Sequence, residues 1–251
     1  MKNAKIITNV TIPNNIRTLI TSIKIPNSVE SIGNGAFYYC TSLTSIQIPD
    51  FVKSIGDGAF SRCTSLANIQ IPNSVESTGD GAFSHCTSLA SIQIPNSVES
   101  IRNYAFYKCE SLTSIEIPDS VESIGDWAFY KCGYLTSIEI PDSVESIGND
   151  AFWNCGSLTN IQIPDSVKSI GNRAFYKCTS LKEVIFKSKT IEEVKAMENY
   201  PWGIEDESVI KAEKNVNSLK ESKGKANVKT YKSKSGKTYT KKQICEALAY
   251  W

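Results

Sequence analysis

The stretch Ile71-Pro72-Asn73-Ser74-Val75-Glu76-Ser77-Thr78-Gly79-Asp80-Gly81-Ala82-Phe83-Ser84-His85-Cys86-Thr87-Ser88-Leu89-Ala90-Ser91-Ile92-Gln93 decides the fold. It is one of seven near-copies of a 23-residue unit that tile residues 25–185 without insertion or deletion. Cys40, Cys63, Cys86, Cys109, Cys132, Cys155 and Cys178 keep the same step, and so do Pro26, Pro49, Pro72, Pro95, Pro118, Pro141 and Pro164. Self-similarity at such a period is the signature of a stacked repeat protein. Within a unit, Leu43-x-x-Ile46-x-Ile48-Pro49 ends in the alternation of a strand with one buried face. Pro49 cannot continue a ladder and stops it. Val52 and Ile55 point inward from an extended segment, Gly56 supports a turn, and Ala59, Phe60 and Cys63 place apolar groups on one short helical turn. One coil is too small to bury its own apolar face, and stacking like on like buries it.

Outward from the repeats, residues 1–24 read as an N-terminal cap built on Ile12-Pro13-Asn14-Asn15-Ile16. Residues 186–210 read as the C-terminal cap: Thr190 and Glu193 form a capping box, Ile191, Val194 and Met197 line one face of the helix it starts, and Trp202 and Ile204 plug the last coil. Residues 211–230 are a Lys-, Ser- and Asn-rich linker, and 231–251 a small hairpin–helix module with Ile244, Ala247, Leu248 and Trp251 on one stripe. Charge divides the same way. Residues 1–210 carry 16 Lys+Arg against 23 Asp+Glu, net −7, and residues 211–251 carry 11 against 3, net +8.

The pattern L-x-x-I-x-I-P-x-S-V-x-S-I-G-x-x-A-F-x-x-C-x-S over 25–185 resembles the BspA-like leucine-rich repeats. Phe51, Thr78 and Arg102 depart from it, standing for Ser, Ile and Gly. The resemblance implies an α/β repeat: a right-handed, curved solenoid with a parallel sheet on its concave face and short helical turns opposite. It also implies recognition rather than catalysis, since family members are often bacterial or protist surface proteins that bind host proteins or other cells.

The chemistry-bearing residues agree with a non-enzymatic reading. The chain has one histidine, His85, beside Cys86, and neighbours in an inward–outward alternation cannot meet as a nucleophile and base. Seven thiols in one file are neither a tetrahedral zinc set nor a pairable set of disulfides, and read as small buried hydrophobes. No metal, cofactor or catalytic residue is assigned. Ser235-Gly236-Lys237-Thr238 has Tyr231 where a phosphate-binding loop needs glycine, and is rejected.

Two surfaces remain as candidate sites for a protein partner. Tyr104, Tyr107, Trp127, Tyr130, Trp153 and Tyr176 should stack at one-coil intervals as an aromatic strip. Gln93, Glu116, Glu139 and Gln162 stand outward on the concave strand. Nucleic acid enters only through the lysine-rich tail, and the terminal helix offers an oligomer contact. No apolar run approaches the ~18 residues of a membrane span, and the start lacks the apolar core of a secretory signal. The sequence as written therefore reads as cytoplasmic, with cell surface or secreted as the alternative from the resemblance. The competing function is a small intracellular effector or inhibitor, encoded by a mobile element, that docks on a host protein or nucleoprotein complex.

Overall fold

A computed structural model describes residues 9–10, 12–213, 230–232 and 238–240. The chain divides into two compact units, residues 1–213 and 214–251. In the second, Thr230–Lys232 and Thr238–Thr240 pair antiparallel with Tyr231 opposite Tyr239, as a hairpin requires. The turn between them, the helix carrying Leu248 and Trp251, and Cys245 lie outside the described residues.

The first unit is a stack of parallel-strand coils. We number the seven coils from Ile25–Gln47 to Ile163–Ile185, so that Ile71–Gln93 is coil three. The strand that ends each coil pairs with the same strand one repeat away: Ser22, Ile23 and Lys24 face Ser45, Ile46 and Gln47. The run Ser22–Lys24, Ser45–Gln47, Asn68–Gln70 and Ser91–Gln93 extends by a single bridge to Glu116, and a second run starts at the Ser137–Asn160 bridge and continues through Asn160–Ile163, Glu183–Phe186 and Ile210–Ala212. After the proline corner, a second ladder of two-residue strands runs from Asn9–Val10 through Ser31–Ile32 and Ser54–Ile55 to Ser77–Thr78, and again from Ser100–Ile101 to Ser169–Ile170.

The third side of each coil, expected as a helical turn, is a chain of four-residue turns. Ala36 N–H reaches Gly33 O and Tyr38 N–H reaches Gly35 O, while the alternate N–H groups of Gly35, Phe37 and Tyr39 reach Asp57, Ala59 and Ser61 of the next coil. A continuous helix would use all its N–H groups internally. Alternation needs two left-handed residues per turn, and Gly35 and Tyr39 supply them at φ +59° and +61°.

Inside, each coil contributes the same side chains at the same height. Phe37, Phe60, Phe83, Phe106, Phe129, Phe152 and Phe175 form one file with neighbouring ring centroids 5.1–5.8 Å apart, all nearly parallel. Beside it runs the cysteine file, all seven thiols free and buried. From Cys63 on, each thiol donates to the phenylalanine carbonyl of the coil before, as Cys132 does to Phe106 O at 3.1 Å. Burial raises these thiols, Cys63 and Cys178 to about 12, so the reactive thiolate is suppressed. Maleimide labelling of the folded protein is expected to leave the seven repeat cysteines untouched. Rapid modification of several of them, or disulfide-linked peptides by mass spectrometry, would refute the packed file.

Both ends are sealed by donors and rings that imitate a missing coil. In coil one, the carbonyls of Ala36 and Tyr38 have no preceding coil to accept from. Ile12 N–H serves Ala36 O at 3.2 Å, and Arg17, on the short helix Asn14–Leu19, places Nη1 2.6 Å from Tyr38 O and 3.1 Å from Gly35 O. At the far end the capping box starts Ile191–Lys195, with both Thr190–Glu193 hydrogen bonds present. Trp202 is fully buried, lies 5.6 Å from Phe186, and takes the N–H of Phe175 on its carbonyl as an eighth coil would. Ile204 and Val194 are buried beside it.

The second ladder is broken once, between coils three and four. Elsewhere a glycine N–H reaches back one coil, Gly56 to Ile32 O, Gly79 to Ile55 O and Gly125 to Ile101 O. A Cβ at Gly56 or Gly79 would sit 2.3 Å from atoms of the coil before. Arg102 occupies this position in coil four, so the strands part. Its bond to Thr78 O is missing, as is a bond from Glu99 N–H to Glu76 O. The Phe83–Phe106 spacing, 5.8 Å, is the widest in the file. Arg102→Gly is therefore expected to close the gap and raise unfolding free energy by about 1 kcal/mol, from restored backbone bonds less the entropy of the new glycine. Hydrogen exchange at Glu99 and at residue 102 should slow with it, and exchange as fast as in the parent would count against this account.

Candidate functional site

The left-handed positions of the turns carry the candidate site. In coils one to three, one of them is Gly35, Gly58 or Gly81, at φ +56° to +61°. In coils four and five the same position holds Tyr104 at +56° and Trp127 at +52°. Bulky side chains there cost roughly 1–2 kcal/mol each relative to glycine. What they obtain is a ring stack. Tyr104 lies 5.0 Å from Trp127 with planes 10° apart.

A second file runs parallel, three residues on in each coil. Tyr107 stacks on Tyr130 at 4.7 Å, Tyr130 on Trp153 at 4.5 Å, and Trp153 tilts against Tyr176 at 5.9 Å. Tyr104 and Tyr107, 5.7 Å apart, join the two files. The six aromatic residues singled out in the sequence thus form one continuous strip. Their faces cover one another, so all but Tyr104, 40% exposed, are half-buried and present edges and polar tips rather than open faces. The Tyr104 file ends at Asp150, whose buried carboxylate receives Arg173 Nη2 at 3.0 Å. Burial, with Tyr107 and the Asp150 carboxylate nearby, raises the Tyr130 phenol above its ordinary value.

A fringe of cations that sequence reasoning missed borders the strip. Lys108 lies over Tyr107 at 5.4 Å, Lys131 between Tyr130 and Trp153 at 5.7 and 5.5 Å, and Lys177 between Trp153 and Tyr176 at 5.1 and 5.5 Å. The signal was legible: each immediately precedes a repeat cysteine, as Arg62 and His85 do. His85 bonds Ser84 Oγ at 2.9 Å and leans on Tyr107 at 5.2 Å. Its imidazole is held below its ordinary value by burial and by Arg62 and Lys108. Beside it Cys86 is fully buried.

On the strand face, Gln93, Glu116, Glu139 and Gln162 are all exposed. Gln93 and Glu116 are bridged across neighbouring coils, whereas no strand pairing joins Glu116 to Glu139. Like charges placed opposite each other disfavour that pairing. Glu116, Asp119 and Glu139 border a shallow groove of about 370 Å³, and Asp119, Glu139 and Asp142 border its neighbour of about 380 Å³. Among the described residues, no group of three or more His, Cys, Asp or Glu is placed to hold a metal ion. No described helix is long and apolar enough to cross a membrane.

Comparison with known proteins places this geometry. Residues 17–118 and 99–221 match the family described as BspA type leucine-rich repeat region, in six copies. A leucine-rich repeat protein from Bacteroides ovatus is 32% identical with a TM-score of 0.58, over 78% of this chain and 52% of its own. The leucine-rich repeat protein of T. pallidum is also 32% identical, with a TM-score of 0.60, over 64% of this chain and 78% of its own. This chain therefore spans about half the length of the Bacteroides ovatus protein. No curated protein matches it. Repeat period, coil architecture and these likenesses agree, and the chain belongs to the BspA-type leucine-rich repeat family.

Proposed function

We propose that the protein is a non-enzymatic recognition scaffold that binds another protein through the aromatic strip. The observation that carries this is the replacement of glycine by Tyr104 and Trp127 at left-handed positions where coils one to three keep glycine. The fold is complete without these rings, because the phenylalanine and cysteine files already fill the core. A strained backbone that presents large aromatics is a mark of function. Tyr and Trp dominate binding hot spots, since a rigid ring buries much area with little entropy to lose. The exposed Glu116 and Glu139 then supply orientation and salt sensitivity.

Capture from lysate tests the assignment when each variant is compared with the parent. Trp127→Ala is expected to weaken retention of the partner by more than about 1 kcal/mol, roughly fivefold, with little change in melting temperature. If Trp127→Ala leaves capture intact while Glu116→Lys with Glu139→Lys abolishes it, the strand face is the site and the strip is not.

A further inference from the structure

Part of the charge of the stack is paired across coils. Five ion pairs among the described residues join neighbouring levels of the stack: Lys53–Glu76, Arg102–Asp80, Lys168–Glu145, Arg173–Asp150 and Lys189–Asp165. Among the charged residues outside these pairs, two sets repeat at successive coils. On the turn side, Lys108, Lys131 and Lys177 make no ion pair among the described residues, and the rings hold them in place. On the strand side, Glu116 and Glu139, with Asp119 and Asp142 at the groove edge, make none either.

We infer that these two ladders are complementary halves of one interface, and that the occupant of the strip is a second copy of this chain. The inference rests on the strip being a partner site and names the partner. Both ladders have the pitch of the coil, about 4.8 Å, because the same parallel stacking sets both. An extended peptide spaces same-face side chains by about two residues, near 6.6 Å, and drifts out of step within a few residues. A second solenoid does not drift. The levels also agree: Lys108 and Glu116 both lie in coil four, and Lys131 and Glu139 both lie in coil five. A copy laid alongside and turned about the stack axis, with no shift along it, sets Lys108 opposite Glu116 and Lys131 opposite Glu139. Ring edges and tyrosine hydroxyls of the strip then meet the Gln and Ser side chains of the strand face. Cations already fixed over rings lose little freedom on pairing. The two surfaces are unlike, so each added copy leaves one of each kind free, and the contact is head-to-tail and extends beyond a two-fold dimer.

Sedimentation of the full chain over a range of concentration and salt tests this. The weight-average mass is expected to rise with concentration at low salt and to fall back toward one chain at high salt. Lys108→Glu with Lys131→Glu should raise the concentration needed for association at least about tenfold, and so should Glu116→Lys with Glu139→Lys. Mixing these two variants should restore association, because each then offers the surface the other lacks. Circular dichroism and melting confirm that both variants fold. A parent that stays a single chain at every concentration overturns the inference but leaves the strip as a partner site, which the Trp127→Ala capture decides separately. Association abolished by the glutamate variant but untouched by the lysine variant overturns it too, since the lysine-rich tail would then be the cationic element. Failure of the mixture to associate overturns the pairing of the two ladders.

Discussion

Alkaline solution is expected to unfold this solenoid before its own thiols ionise. A thiol in the unfolded chain titrates near 9, its ordinary value, while burial in the fold pushes Cys63 and Cys178 up to about 12. Cys86, Cys132 and Cys155 are raised well above 9 by the same cause. Below pH 9 both states hold these protons and nothing is lost. Above it the unfolded chain releases protons that the folded chain keeps, so stability falls until the folded thiols ionise in turn. Each such thiol withdraws about 1.4 kcal/mol per pH unit inside that window. Seven act together, against a total stability of about 5–15 kcal/mol for an ordinary domain. The urea midpoint should therefore drop steeply between about pH 9 and 11, and Cys132→Ala should flatten the slope by about one proton. A midpoint level across that window, or a slope unchanged in Cys132→Ala, would mean that the thiol file is open to water.

Phe106→Ala should be the most damaging single truncation in the core. The ring is 3% exposed and lies between Phe83 and Phe129, 5.8 and 5.4 Å away. Removing it costs about 3–5 kcal/mol from lost transfer energy and the cavity left behind. Its location adds a second effect. Coils three and four have already lost their second ladder beside Arg102, so the ring file carries much of what couples the two halves. Stability in a stack is a sum of coil and interface contributions, and a weakened interface lets the halves unfold apart. Denaturation should split into two transitions, and amide exchange should quicken in coils three to five together. Faster exchange confined to coil four would show that neighbouring coils do not share the core.

The stacked solenoid and its buried faces were legible in the sequence because each follows from spacing. A 23-residue period with Ile, Val, Ala, Phe, Cys and Leu at constant places has one economical burial, like upon like. Thr190 and Glu193 announced their capping box three residues apart, and Trp202 its plug, for equally local reasons. The strip was legible for the same cause, since identical offsets in successive coils must stack. Only the tertiary structure decided what happens where two coils meet. Arg102 could be read as one more variant position until a Cβ at the matching glycines of other coils proved to press on the backbone of the coil before, which no pattern within one repeat records. Tyr104 and Trp127 could be read as exposed aromatics, but their left-handed backbone follows from the alternation of bonds within and between coils. Lys108, Lys131 and Lys177 acquired their meaning only when folding set rings beneath them. Period is a property of the chain, whereas close approach, ring stacking and unpaired charge are properties of neighbours about 23 residues away in sequence and one strand spacing away in space.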